Sequence, residues 1–124
     1  MKSRRKRHQK YNNTKVIRDG ITFDSKKELR MYLVLKEWQE QGRIKDLKCH
    51  AVYELQPRFE LVKRGLTRIN RPITYLPDFV FYDNEERRVR ILDAKGARTE
   101  VYKIKKKLFE WKFKEQGLYL ENTL

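Results

Sequence analysis

"PITYLPDFVFYDNEERRVRILDAKGAR", residues 72–98, decides the fold. The apolar run Phe79, Val80, Phe81, Tyr82 is followed by a turn at "NEE" and then by "RRVRILDAK". The spacing predicts two strands paired as a hairpin, the first spanning all of "ITYLPDFVFYD". Side chains alternate along a strand, so Asp93 and Lys95 share one face, and Leu92 and Ala94 the other. A carboxylate at the end of an apolar strand is costly unless it is paired or holds a cation. Asp78, just after Pro77, raises the same question on the neighbouring strand. Two such acids predict a site assembled across the hairpin.

Working outward, "KVIRDGITF" predicts a short hairpin turning at Asp19-Gly20. "DSKKELRMYLVLKEWQEQG" predicts a helix with Ser25 as N-cap and Gly42 closing its end. "IKDLKCHAVYELQPRFELV" predicts one or two strands, broken or edged at Pro57. "TEVYKIKKKLFEWKFKEQG" predicts a second helix from about Thr99 to Gly117, and "LYLEN" a short last strand. Both helices end in Glu-Gln-Gly, which predicts shared C-cap chemistry. The fold class is therefore α/β, one mixed sheet flanked by helices.

The chain has 124 residues, enough for one domain with a modest core. Apolar residues make up 39% and aromatics 12%, so a packed interior is expected. The formal net charge is +14. A small domain this basic points first to nucleic acid and next to acidic membrane surfaces. No apolar run approaches the length of a membrane span, and no apolar core follows the basic N-terminus as a secretory signal requires. Cys49 is the single cysteine, which excludes an internal disulfide and a cysteine zinc cluster. A cytoplasmic setting is expected. Residues 2–10, "KSRRKRHQK", carry six Lys or Arg and no acid, and the rest of the chain keeps +8. Residues 1–12 are expected to form a flexible basic tail, and residues 13–124 the folded domain.

Four residues stand out as a chemical set: Glu28, Asp78, Asp93 and Lys95. Hard divalent cations take oxygen ligands, and two aspartates on adjacent strands supply them. The Ala94 carbonyl offers a further ligand. Lys95 could orient a water or steady charge on a phosphate. Gly96 lets a backbone approach closely. The bland readings are that Asp78 merely opens a strand and that Asp93 pairs with a basic side chain. The combination of both with Lys95 favours the site. Glu28 has two roles open to it. "SKKE" is a capping box, yet Glu28, Tyr32 and Leu35 form one i, i+4, i+7 stripe with core-facing residues. His8 and His50 have no metal-ligand partners at useful spacing. On the second helix, Val101, Ile104, Leu108 and Trp111 form an apolar stripe expected to pack on the sheet. Six lysines there, among them Lys103, Lys105, Lys106 and Lys107, stand against three acids and predict phosphate contact. Tyr102 and Lys105 lie about one turn apart and are expected to reach toward the site.

"PD" at 77–78 and "DAK" at 93–95, with the helix glutamate in "FDSKKELRMYL", resemble the PD-(D/E)XK nuclease superfamily over residues 20–121. "ILDAKGARTEVYKIKKKLFEWKF" is similar to small phage-borne proteins that are Holliday-junction-resolvase-like. The resemblance implies a restriction-endonuclease-like core of order α-β-β-β-α-β. It implies hydrolysis of DNA phosphodiesters with Mg²⁺ or Mn²⁺, in a bacterial host cell. Asp78, Asp93, Ala94 and Glu28 would then hold metal, Lys95 would orient water, and Lys105 would match a less constant basic position. DNA contact is expected from Arg4, Arg5, Lys6 and Arg7 in the tail and from Gly96, Arg98, Lys103, Lys105 and Lys106. Branched DNA is one candidate substrate, and cutting a four-way junction symmetrically would require a homodimer. The alternatives are a low-specificity nuclease on single- and double-stranded DNA or RNA, and a DNA-binding protein of the same fold that does no chemistry.

Overall fold

Asp19 and Gly20 both adopt left-handed backbone, at φ 53° and 77°, as a two-residue type I′ turn demands. They join β1 (Val16–Arg18) to β2 (Ile21–Phe23) in antiparallel register. The computed structural model describes residues 14–94 and 99–124. Ser25 then caps α1 (Lys26–Glu40), its side chain accepting from the Glu28 amide at 3.1 Å. Gly42, at φ 79°, ends the helix and turns the chain into β3 (Ile44–Cys49).

Four strands follow before the core sheet resumes: β4 (Tyr53–Gln56), β5 (Phe59–Lys63), β6 (Leu66–Asn70) and β7 (Ile73–Tyr75). They pair as β4 with β7 and β5 with β6. The stretch "ITYLPDFVFYD" is thus two strands rather than the single one expected, divided at Leu76–Asp78. Pro77 has no N–H for a ladder, which accounts for the break. β8 (Phe79–Asp83) and β9 (Arg88–Leu92) form the expected hairpin, with Phe79 opposite Leu92. α2 (Glu100–Lys112) starts at Thr99, whose hydroxyl accepts from the Tyr102 amide. A single 3₁₀ turn (Lys114–Gln116), ended by Gly117 at φ 72°, leads to β10 (Leu120–Glu121). The Glu-Gln-Gly endings therefore share a left-handed glycine, although the second closes the 3₁₀ turn rather than α2 itself.

The central sheet has the order β10-β9-β8-β3. β3, β8 and β9 are antiparallel, and β10 returns parallel to β9 after α2. The succession α1, β3, β8, β9, α2, β10 is the α-β-β-β-α-β order expected, with β4–β7 inserted after its first strand. The fold is α/β, with two helices and ten strands among the described residues. Period-2 alternation gives each sheet face its own core. On one face Phe79, Phe81 and Leu92 meet Phe23, Tyr32 and Leu35 of the first hairpin and α1. On the other, Val80, Ile91 and Leu120 meet Tyr75, Tyr102 and Phe109.

α2 corrects one expectation. Val101, Ile104, Leu108 and Trp111 do not pack on the sheet; Val101 is 61% and Trp111 65% exposed. The helix instead buries Tyr102 and Phe109, with Phe113 beside them. Phe109 packs edge-on against Tyr53, with ring centroids 5.1 Å apart. Three rings at i, i+7 and i+11 bury more apolar area than the aliphatic stripe, and they select the opposite face.

Candidate active site

Cys49, Phe79 and Leu92 stand in one row across β3, β8 and β9. One step further along the same end of the sheet come His50, Asp78 and Asp93. The row continues on β10. Glu121 is opposite Leu92, and the next residue, Asn122, donates to the Asp93 carbonyl at 3.0 Å. The His50 amide donates to the Asp78 carbonyl at 3.1 Å, and the Asp93 amide to the Glu121 carbonyl at 2.9 Å. The site is therefore the row where three core strands cease to be apolar.

α1 closes the row from the side. Its buried stripe is Glu28, Tyr32 and Leu35. The helix N-cap fixes the Glu28 backbone, but its carboxylate does not return to the Ser25 amide as a capping box requires. Glu28 Oε1 lies 2.9 Å from His50 Nε2. Glu28, His50 and Asp78 place one ligand atom each within 4.8 Å of one another. The exclusion of His50 from the site is thus corrected. A bulge between Lys45 and Lys48, with Asp46 at φ 59°, shifts the β3–β8 register by one residue. That shift sets His50, rather than Cys49, against Asp78. Bulges beside active sites commonly re-aim a side chain in this way. His50 itself lies at φ 57°.

Burial makes this a charged site under stress. Glu28 is 4% exposed, Asp78 3% and Asp93 0%. The Ala94 amide donates to Asp78 Oδ2 at 2.7 Å, and the Tyr75 hydroxyl donates to Asp93 Oδ2. Burial first, then the negative charges of Asp93 and Glu28, push the Asp78 carboxyl up to about 7; the Ala94 amide opposes them. Burial first, then the charges of Glu28 and Asp78, push the Cys49 thiol up to about 11. Burial and the Asp93 carboxylate also raise Tyr75 well above the usual phenol range. Glu28, His50 and Asp78, with Asp93 beside them, are a donor set that could hold a cation.

Beneath the row, a second charged cluster ties the strands together. Arg90 Nη2 lies 2.8 Å from Glu121 Oε1, and its Nη1 is 3.3 Å from Asp83 Oδ2. Arg88 Nη2 reaches Glu121 Oε2 at 3.2 Å. Burial opposes the Asp83 charge, yet the Glu86 and Glu85 amides and Arg90 outweigh it and hold its carboxyl below the usual range. This clamp joins β8, β9 and β10, with Arg90 three residues short of Asp93 and Glu121 one short of Asn122. It fixes the strand ends that carry the site.

The structure thus brings Glu28, Asp78, Asp93 and the Ala94 backbone together and adds His50, Tyr75 and Asn122. Tyr102 is buried beside the site, its hydroxyl 3.4 Å from Asn122 Nδ2. Lys105 and Lys106 are half-buried on the flank of the same helix face, and Lys103 is exposed and paired with Glu100 at 3.0 Å. Lys95, Gly96 and Arg98, the tail residues Arg4, Arg5, Lys6 and Arg7, and His8 lie outside the described residues. No helix among the described residues is long and apolar enough to cross a membrane. A family model described as "Protein of unknown function (DUF1064)" matches residues 8–123. Neither the curated proteins nor the solved structures give a match.

Proposed function

We propose that this chain, which belongs to the DUF1064 family, is a divalent-metal-dependent endodeoxyribonuclease of the PD-(D/E)XK class. The observation that carries the reading is the convergence of Glu28, Asp78 and Asp93, all buried, on one end of an α-β-β-β-α-β core in a strongly basic chain. Asp83, a buried acid outside the site, is paired with Arg90. Glu28 and Asp78 face an imidazole and other acids instead.

The donor set fits a hard cation. Carboxylate oxygens and a peptide carbonyl suit Mg²⁺ and Mn²⁺, and the imidazole adds preference for the transition ion. Asp78, Asp93 and Glu28 would hold the ion, with the Ala94 carbonyl and His50 Nε2 as further ligands. A bound ion would polarise the scissile phosphate and lower the pKa of an attacking water. The Ala94 amide holds Asp78 Oδ2, and the Tyr75 hydroxyl holds Asp93 Oδ2, so each carboxylate keeps one defined orientation. Lys95, two residues beyond Asp93, would orient the water and offset charge growing on the phosphate. Lys105 and Lys106 would contact the DNA backbone.

Branched DNA is the substrate proposed for this reading, and two-fold cutting of a four-way junction would call for a homodimer. Linear duplex, single-stranded, flapped and four-way DNA incubated with Mg²⁺, Mn²⁺ or EDTA test it, with sedimentation of the same preparation. Cleavage with either metal and none in EDTA is expected. A chain that cuts no DNA with either ion leaves the non-catalytic DNA-binding reading. A monomer without preference for the junction removes the resolvase role alone.

A further inference from the structure

The insertion between β3 and β8 is a two-stranded arm whose outer half touches neither core. β4 and β7 form its base, where Tyr53 packs on Phe109 and Tyr75 reaches Asp93. β5 and β6 form the outer half, a sheet of two strands only. The pairs Gln56–Ile73 and Phe59–Asn70 bracket Pro57 opposite Pro72 and Arg58 opposite Arg71. Facing prolines have no N–H to exchange, which divides the arm into two ladders. Arg64 and Gly65, at φ 53° and 74°, make its type I′ tip.

The side chains of the outer arm are unusual for a surface hairpin. Val62 is 70% exposed, Leu66 74% and Ile69 59%. Among them stand Arg58, Lys63, Arg64, Arg68 and Arg71 against the single acid Glu60. Glu60 is taken by Arg58 at 3.1 Å, so the charge of the tip is uncompensated within the arm. Like charges placed opposite each other, as Arg58 and Arg71 are, weaken a bare ribbon. A polyanion would relieve them.

We propose that the β5–β6 ribbon enters the major groove of duplex DNA and anchors it beside the metal site, an inference that rests on the nuclease reading for its substrate. The major groove admits a two-stranded ribbon, whereas the minor groove is about half as wide. Lys63 and Arg68, on one ribbon face, and Arg64 at the tip meet phosphates, and Val62 and Ile69, on the other face, meet base edges. The arm is rooted at Asp93 through Tyr75. Ten residues separate Tyr75 from Gly65, which at about 3.3 Å each spans roughly 33 Å. That length is close to one turn of duplex DNA. The arm therefore holds DNA about one turn from the bond cut.

Anisotropy of a labelled 24-base-pair duplex, in EDTA so that nothing is cleaved, tests the proposal apart from the chemistry. The triple variant Lys63→Ser/Arg64→Asn/Arg68→Ser should bind at least tenfold more weakly. Its log–log salt slope should fall by about 0.9 for each phosphate it no longer neutralises. Val62→Ser/Ile69→Ser should bind more weakly at an unchanged slope. A chain with Asn-Gly in place of residues 58–71 should show both effects and keep its melting transition. Double-stranded RNA, whose major groove is too deep and narrow for a ribbon, should be bound almost equally by all forms. Unchanged DNA affinity and slope overturn the proposal, and so does an equal loss on RNA. A wild-type dimer that the variants convert to monomers assigns the ribbon to a second copy of the chain and overturns it too. Absence of cleavage by the wild type with Mn²⁺ sinks the nuclease reading alone, since the binding result stands without it.

Discussion

Asp78 and Asp93 stand opposite each other at the end of the β8–β9 ladder, one step beyond the Phe79–Leu92 pair. The hairpin itself therefore forces the two carboxyl groups together, within hydrogen-bonding reach of each other. Neither strand has to bend to make the site. The apolar row beneath them removes water, and the next row carries the charge.

Removing one of these charges should abolish the chemistry and leave the fold. Asp78→Asn and Asp93→Asn are expected to lower metal-dependent cleavage by at least about 100- to 1,000-fold, the scale of lost transition-state electrostatics. Metal-free Asp78→Asn should melt higher than wild type at pH 8, because a crowded buried charge is gone. Cleavage gels and melting curves read the two effects separately. Full activity in either variant would remove both residues from the site.

The pH dependence follows from Asp78. In the folded chain its carboxyl is pushed up to about 7, against an ordinary value of 3.8. Between those values the folded state holds a proton that the unfolded state has lost. Stability of the metal-free protein should therefore fall as pH rises from about 4 to about 7, and level off above. A cation competes with that proton, so the melting-temperature gain from saturating Mn²⁺ should be larger at pH 8 than at pH 5.5. An equal gain at both values would separate Asp78 from the metal.

The sequence made much of this site legible. Pro77-Asp78 and Asp93-Ala94 announced themselves as acids where strands begin and end, and the Glu28–Tyr32–Leu35 stripe placed Glu28 inward. His50 was hidden because a one-residue bulge at Asp46 decides its register, and bulges leave no periodic trace. The arm was also missed, although Arg64-Gly65 between alternating residues is a hairpin signal. On α2, the aliphatic stripe was the more obvious pattern. Tyr102, Phe109 and Phe113 carried the larger burial energy, and the Tyr102 hydroxyl also meets a polar neighbour in Asn122.

Glu28 and His50 should separate in metal preference. If Glu28 serves only the helix start, Glu28→Gln should keep activity. A metal role predicts weaker cleavage and a higher metal requirement at nearly constant melting temperature. His50→Ala should reduce the advantage of Mn²⁺ over Mg²⁺, because imidazole favours the transition ion. Metal titrations of cleavage by the three proteins give the comparison. An unchanged Mn²⁺ to Mg²⁺ ratio in His50→Ala would leave His50 as a partner of Glu28 only.

Arg90 should matter for stability rather than chemistry. Arg90→Ala leaves the buried Asp83 without its guanidinium and the half-buried Glu121 with Arg88 alone, a loss expected to cost about 3–5 kcal/mol. Glu121→Gln keeps a hydrogen-bond acceptor and should cost less. Urea unfolding gives both values. A small effect of Arg90→Ala would mean that water reaches the clamp and solvates the two acids.

Tyr75 connects the arm to the site through one hydroxyl, and that hydroxyl can be removed without moving the ring. The ring packs against Tyr102 and Phe109, with centroids 6.4 and 5.9 Å away. Tyr75→Phe should keep that packing. It removes the hydroxyl that donates to Asp93, a charge-assisted bond of about 1.5–3 kcal/mol. Without that donor the Asp93 carboxylate loses its fixed orientation, and a metal held by it is bound more weakly. Cleavage should then need more Mn²⁺ to reach half its maximum than in the wild type, while the rate at saturating Mn²⁺ is largely restored. A purely structural role for Tyr75 would lower activity by the same factor at every Mn²⁺ concentration. A Mn²⁺ titration of cleavage by Tyr75→Phe distinguishes the two. A uniform loss would detach the hydroxyl from the chemistry of Asp93.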